Sequence, residues 1–203
     1  MRRSVEFAVI AALMVSGCSS ILTSNAPPDT TYWLKPASIS PVPDSDAAGP
    51  SIQVAVSAAP GLDVDRVLVR GPGATLNSYT AARWPDSIPD VVETLVRTAL
   101  EDSGRFDRVT AARAGIRSDW NLDLEVRAFY ALLSGTSAPP DIEFAGRGYL
   151  KCPGRVLPVR ILARQGARAN TMTEITAAFQ SVVDEGLDDL IKQLPPTCVD
   201  ATQ

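Results

Sequence analysis

The sharpest pattern in the chain is Trp120–Tyr130, WNLDLEVRAFY, in which Trp120, Leu122, Leu124, Val126, Ala128 and Tyr130 take alternate positions. Successive side chains of an extended strand point to opposite faces, so this stretch predicts a strand with one buried face. Asn121, Asp123, Glu125 and Arg127 make the other face polar. Alternation returns over Ile142–Cys152 and again at Leu157, Val159, Ile161 and Ala163, with Pro153 and Gly154 between them where a type II turn wants them. Three consecutive strands of this kind predict an antiparallel meander. Upstream, Ser51–Ser57 (SIQVAVS) puts Ile52, Val54 and Val56 on one face, Val64–Arg70 reads as a second short strand, and Arg105–Val109 as a return to the sheet. Residues from Gly71 to Arg83, rich in Gly, Pro and Asn, read as a loop. The island Tyr32-Trp33-Leu34, between two Pro-containing segments, predicts an edge strand covered by the domain.

Two stretches carry the helical period instead. In Asp86–Asp102, Ile88, Val91, Val92, Leu95, Ala99 and Leu100 recur at three- and four-residue steps; Pro89 is tolerated in the first turn, Glu93 can support Arg97 one turn on, and Gly104 ends the helix. The last opens with the capping-box pattern Thr171-Met172-Thr173-Glu174 and carries the stripe Ile175, Ala178, Phe179, Val182, Val183, Leu187, Leu190, Ile191 and Leu194. Gly186 inside that stripe predicts close approach to the sheet, and Pro195 and Pro196 stop the helix. The elements together predict one α/β domain: a mixed, largely antiparallel sheet with two main helices.

The front of the chain follows other rules. Arg2 and Arg3, the apolar run Phe7–Val15 and the small residues after it have the three-part layout of a secretory signal peptide. Nine helical residues cover roughly 14 Å against a hydrocarbon core of about 30 Å, so the run is too short to span a membrane. Val15-Ser16-Gly17-Cys18 resembles the lipobox of bacterial lipoproteins. That resemblance implies cleavage before Cys18, a diacylglycerol thioether on its sulfur and acylation of its amine by palmitate-type chains. Two or three chains hold a soluble domain where one would not. Ser19, in place of Asp, implies an outer-membrane destination by the lipoprotein sorting rule. The alternative is an ordinary signal with an incidental cysteine. The expected organisation is a signal peptide over 1–17, a lipidated N-terminus and tether over 18–30, the domain over 31–198 and a tail over 199–203.

Composition narrows the chemistry. Loss of Arg2, Arg3 and Glu6 with the signal takes the formal charge from −4 to about −5, against nucleic-acid binding, which needs a clustered basic face. The chain has no histidine, which excludes Ser-His-Asp and Cys-His catalysis and histidine-built zinc sites. Gly71 and Gly73 flank Pro72 with no GxxxxGK pattern, so any ATP is used by a partner. Asp119, Asp123 and Glu125 lie on one strand's polar face, the ordinary place for solvated carboxylates. No cofactor and no metal are expected. Cys152 and Cys198 remain in the mature chain and are expected to pair in an oxidising compartment, the alternative being two separate thiols.

The run Val56–Phe106 resembles the core signature of the ABC-type transport auxiliary lipoproteins, the family of the PqiC-like lipoproteins. The resemblance rests on Pro60, Leu62, the strand Arg66–Arg70 and the Arg83-Trp84 entry to a helix; Tyr32-Trp33-Leu34 and Leu122–Val126 match too. Gly61 stands where the family commonly has a bulky residue, and the strand pair around Cys152 is less typical. The resemblance implies a three-layer α/β fold like the anticodon-binding and TolB N-terminal domains. It also implies a non-enzymatic role beside a membrane lipid transporter of the MCE (mammalian cell entry) type. The anchored domain would face the periplasm and dock the periplasmic MCE-domain protein, with the permease and ATPase reached indirectly and self-association left open. Arg70, Tyr79, Arg83 and Trp84, on or beside the Gly71–Ala82 loop, are the candidate partner contacts, since Trp and Arg are enriched at interface hot spots. Against this, Trp84 can instead plug the core at the helix entry while Arg83 pairs locally and Arg66 and Arg70 pair with Asp63 or Asp65. A rival function is a structural or assembly lipoprotein of an envelope complex with no part in lipid transport.

Overall fold

The computed structural model describes residues 28–39, 49–135 and 138–198. The expected signal peptide, the lipobox-like stretch with Cys18 and most of the expected tether lie outside them, as does the tail from 199 onward. Eight strands form one sheet: β1 (Thr30–Thr31), β2 (Ser51–Ala58), β3 (Arg66–Arg70), β4 (Leu76–Arg83), β5 (Arg108–Ala111), β6 (Trp120–Leu132), β7 (Asp141–Cys152) and β8 (Arg155–Gly166). Among the described residues the α-helices are α1 (Ile88–Asp102) and α2 (Met172–Gln193).

Strand β6 is the spine. Along one side it pairs antiparallel with β7, which pairs antiparallel with β8, the meander the alternation predicts. Along its other side two strands follow end to end, both parallel to it: β2 beside Trp120–Val126 and β3 beside Ala131–Leu132. β5 extends the first branch, while β4 and β1 extend the second as a narrow arm. The register of β6 against β7 slips between Val126 and Ala128. Such a bulge reverses which parity faces the core. Past it, Phe129 joins the helix-side core, fully buried, with its ring centroid 5.6 Å from Trp84, 5.3 Å from Phe144 and 5.1 Å from Phe179.

Both helices pack on that same face, α1 over β2 and β5, α2 over β7 and β8, and they touch each other. The predicted apolar stripe of α2 is buried along its length, opened by the Thr171 hydroxyl accepting from the Glu174 N–H. Gly186 lets the helix come down on the sheet: a methyl group there would lie 2.8 Å from Ile161 Cγ2 and 3.0 Å from Phe144 Cδ1. The far end of α2 is clamped twice. Arg105 donates to the carbonyls of Ile191 (2.8 Å), Leu194 (2.8 Å) and Pro195 (2.7 Å), and burial depresses its pKa. A disulfide joins Cys152 at the end of β7 to Cys198 beyond the helix. By secondary structure the domain therefore has two layers, sheet and helix pair. Among the described residues, the third layer the family resemblance implies is represented by an extended segment across the helices, Trp33 to Ile39. Its residue Lys35 is held through backbone N–H and C=O by the Gln180 amide of α2, and Leu34 and Ala37 are buried.

Three expectations are corrected. The presumed loop Gly71–Arg83 contains only a short 3-10 turn, Pro72–Ala74, and then the strand β4. The edge strand assigned to Tyr32-Trp33-Leu34 sits one step upstream at Thr30–Thr31: Tyr32 adds a last backbone bond to Arg83 and the chain then leaves the sheet. Within α1, Arg97 pairs with Glu101 at 3.8 Å, because Glu93 is buried and turns to Arg113 at 3.3 Å.

Candidate docking surface

The four candidate contacts all fall on the β3–β4 arm or at its exit. Trp84 follows β4, 1 % exposed, its ring centroid 5.0 Å from Phe179; it is a core residue, which withdraws it as a direct contact. Arg83 is tied down by Asp29, and by Asp65 at 3.1 Å. Arg66 shares those partners, at 3.1 Å from Asp29 and 3.9 Å from Asp65, and neither arginine pairs with Asp63. Burial works to raise the Asp29 pKa, but the charges and hydrogen bonds of Arg66 and Arg83 outweigh it and hold the carboxyl below its ordinary value. Arg70 donates to the Tyr130 hydroxyl at 3.1 Å rather than to a carboxylate. Tyr79 is half-buried, its pKa raised by burial, and its hydroxyl has no hydrogen-bond partner among the described residues. The arm is thus braced at its base, with Arg70 and Leu76 exposed toward its tip.

The larger open surface lies elsewhere, on the sheet face away from the helices. A groove of about 720 Å³ runs over β2, β6, β7 and β8, lined among others by Ala55, Glu125, Arg147, Tyr149, Pro158 and Arg160. The carboxylates here have structural partners. Asp123 takes Lys151 at 2.6 Å and Glu125 takes Arg127 at 2.6 Å. Asp119, just before β6, accepts from the Ser51 hydroxyl at 2.7 Å and the Ser51 N–H at 2.8 Å, which lowers its pKa against the opposing effect of burial. Arg147 and Arg160, by contrast, face each other across β7 and β8 and make no ion pair among the described residues. Of the exposed large apolar side chains, Tyr149, Val156 and Leu162 share this face. In the sequence Arg147, Tyr149, Arg160 and Leu162 are only members of alternating strands; the strand register sets them side by side.

The model of the family described as ABC-type transport auxiliary lipoprotein component matches residues 32–139. The chain belongs to that family. Among solved structures, protein XCC0632 from Xanthomonas campestris is similar, at 25 % identity and a TM-score of 0.67, over 78 % of this chain and 91 % of that one. An uncharacterized protein of 13 % identity shares the fold, with a TM-score of 0.62 over 82 % of this chain and 99 % of that one. No curated protein matches this chain in sequence. No helix among the described residues is long and apolar enough to cross a bilayer. The span that matches the auxiliary lipoproteins includes the β3–β4 arm, α1 and β6. Most of the groove's basic residues, on β7 and β8, lie beyond it.

Proposed function

We propose that the protein is a non-enzymatic accessory subunit, lipid-anchored in the outer membrane through Cys18, that docks the periplasmic MCE-domain protein of an ABC-type lipid transporter. The observation that carries this reading is membership of the auxiliary lipoprotein family. It is supported by a lipobox that leaves Cys18 ten residues from Pro28, a tether reaching at most about 35 Å, so that the domain works close to the membrane that holds it. Arg70 and Tyr79 on the β3–β4 arm, with the groove on the open sheet face, are the contact positions; Arg83 and Trp84 serve by bracing the arm.

Purification of the tagged full chain from cross-linked envelopes tests the partnership. Recovery of an MCE-domain protein with its permease and ATPase is expected; an outer-membrane barrel or peptidoglycan in their place refutes it in favour of an assembly role. Palmitate labelling lost in Cys18→Ala is expected, and labelling that persists refutes the anchor.

A further inference from the structure

Arg147 and Arg160 occupy directly opposed positions of β7 and β8. The Gln193 amide binds both the N–H (3.0 Å) and the C=O (2.8 Å) of Arg160, so these groups point away from β7. The two arginines therefore form a non-hydrogen-bonded pair, the geometry that brings cross-strand side chains closest. Like charges so placed repel. The one carboxylate in register with them, Glu125, is drawn to Arg127 instead. The next rows along the same two strands are apolar in part: Tyr149 with Pro158 on one side, Ala145 with Leu162 on the other. Tyr149 is 56 % exposed and Leu162 68 %.

We propose that the Arg147–Arg160 pair and its flanks, Tyr149, Pro158 and Leu162, receive an extended partner segment that carries an acidic residue between two apolar residues at two-residue spacing. An extended chain shows residues i−2, i and i+2 on one face, roughly 7 Å apart, which is the spacing of the rows on the sheet beneath it. The acidic side chain neutralises two guanidinium forks suited to bidentate carboxylate contacts, and its neighbours cover the tyrosine and the leucine. A bilayer surface is a poorer occupant: the pair lines a groove, which an extended chain can enter and a flat headgroup layer meets only at its rim. The assignment rests on the reading of the domain as a docking subunit and names the chemistry of what docks.

The test is fluorescence anisotropy of the detergent-solubilised full chain with a labelled peptide of repeating Leu-Thr-Glu-Thr, against the same peptide with Gln for Glu. Binding of the Glu peptide at least about tenfold tighter is expected, with that preference abolished in the double variant Arg147→Gln, Arg160→Gln and kept in Arg155→Gln. The double variant keeps its fold, its Tm unchanged or raised by up to about 3 °C as the repulsion is relieved. Equal affinity for the two peptides, a preference surviving in the double variant, or capture of phosphatidylglycerol vesicles through these arginines without peptide binding overturns the proposal. Loss of peptide preference alongside intact co-purification of the transporter sinks this groove alone; peptide binding without co-purification sinks the partnership and leaves the groove standing.

Discussion

Gly186→Ala sets two effects of known sign against each other. An alanine in a helix interior is favoured over glycine by about 1 kcal/mol, so at an open position the substitution stabilises. Here the added methyl meets Ile161 Cγ2 at 2.8 Å and Phe144 Cδ1 at 3.0 Å, and both side chains are fully buried under α2 with no exposed direction to yield. Overpacking of this kind costs about 1–3 kcal/mol. The net is a loss of about 1 kcal/mol, or roughly 3 °C in Tm for a domain of this size. Urea and thermal unfolding with the disulfide intact read it directly. Ile161→Ala, which removes the offending methyl, supplies the second background: there Gly186→Ala becomes neutral or stabilising, a coupling a double-mutant cycle isolates. A stabilised single variant, or a penalty of the same size in both backgrounds, refutes the claim that close helix–sheet approach is the reason for glycine at this position.

Arg105→Ala strips three carbonyls at the end of α2 of a charged donor, and a loss of about 2–4 kcal/mol in urea unfolding is expected, partly restored by Arg105→Lys. Reduction of the Cys152–Cys198 bridge, or its replacement by Ser at both positions, frees a loop of 46-residue separation; the expected loss is about 2–4 kcal/mol, read as a lower urea midpoint. The Asp119 pKa is lowered in the folded state, so its contribution is complete above the ordinary carboxylate pKa near 4 and disappears as pH falls through the lower, folded value. Asp119→Asn should therefore lower Tm at neutral pH and flatten its fall below about pH 4; a variant with the same acid limb as the parent contradicts this.

The sequence exposed those elements whose side chains alone report their environment. β6, β7, β8, α1 and α2 each bury one face, and burial imposes a period. β4 escaped because it buries almost nothing: its residues from Leu76 to Ala81 are exposed or half-exposed, so backbone pairing with β3 and β1 holds it and no apolar pattern marks it. Phe129 falls on the polar parity of β6 and becomes core only because a bulge reverses the strand after Val126. Residue type alone does not separate Trp84, inside, from Tyr149, outside. The Arg147–Arg160 pair is invisible until the β7–β8 register is known, since thirteen positions separate the two in the chain.

The way the chain enters its fold carries a mechanical consequence. Upstream tension arriving at Pro28 loads the ion cluster of Asp29 with Arg66 and Arg83 first, then the two rungs joining Thr30 and Thr31 to β4. If those gave way, the next residues to be pulled free would be Leu34 and Ala37, which belong to the core itself. The first bonds to be loaded thus sit directly against the core: a tug strong enough to break them begins to unfold the domain, and below that threshold the arm transmits the pull to the sheet.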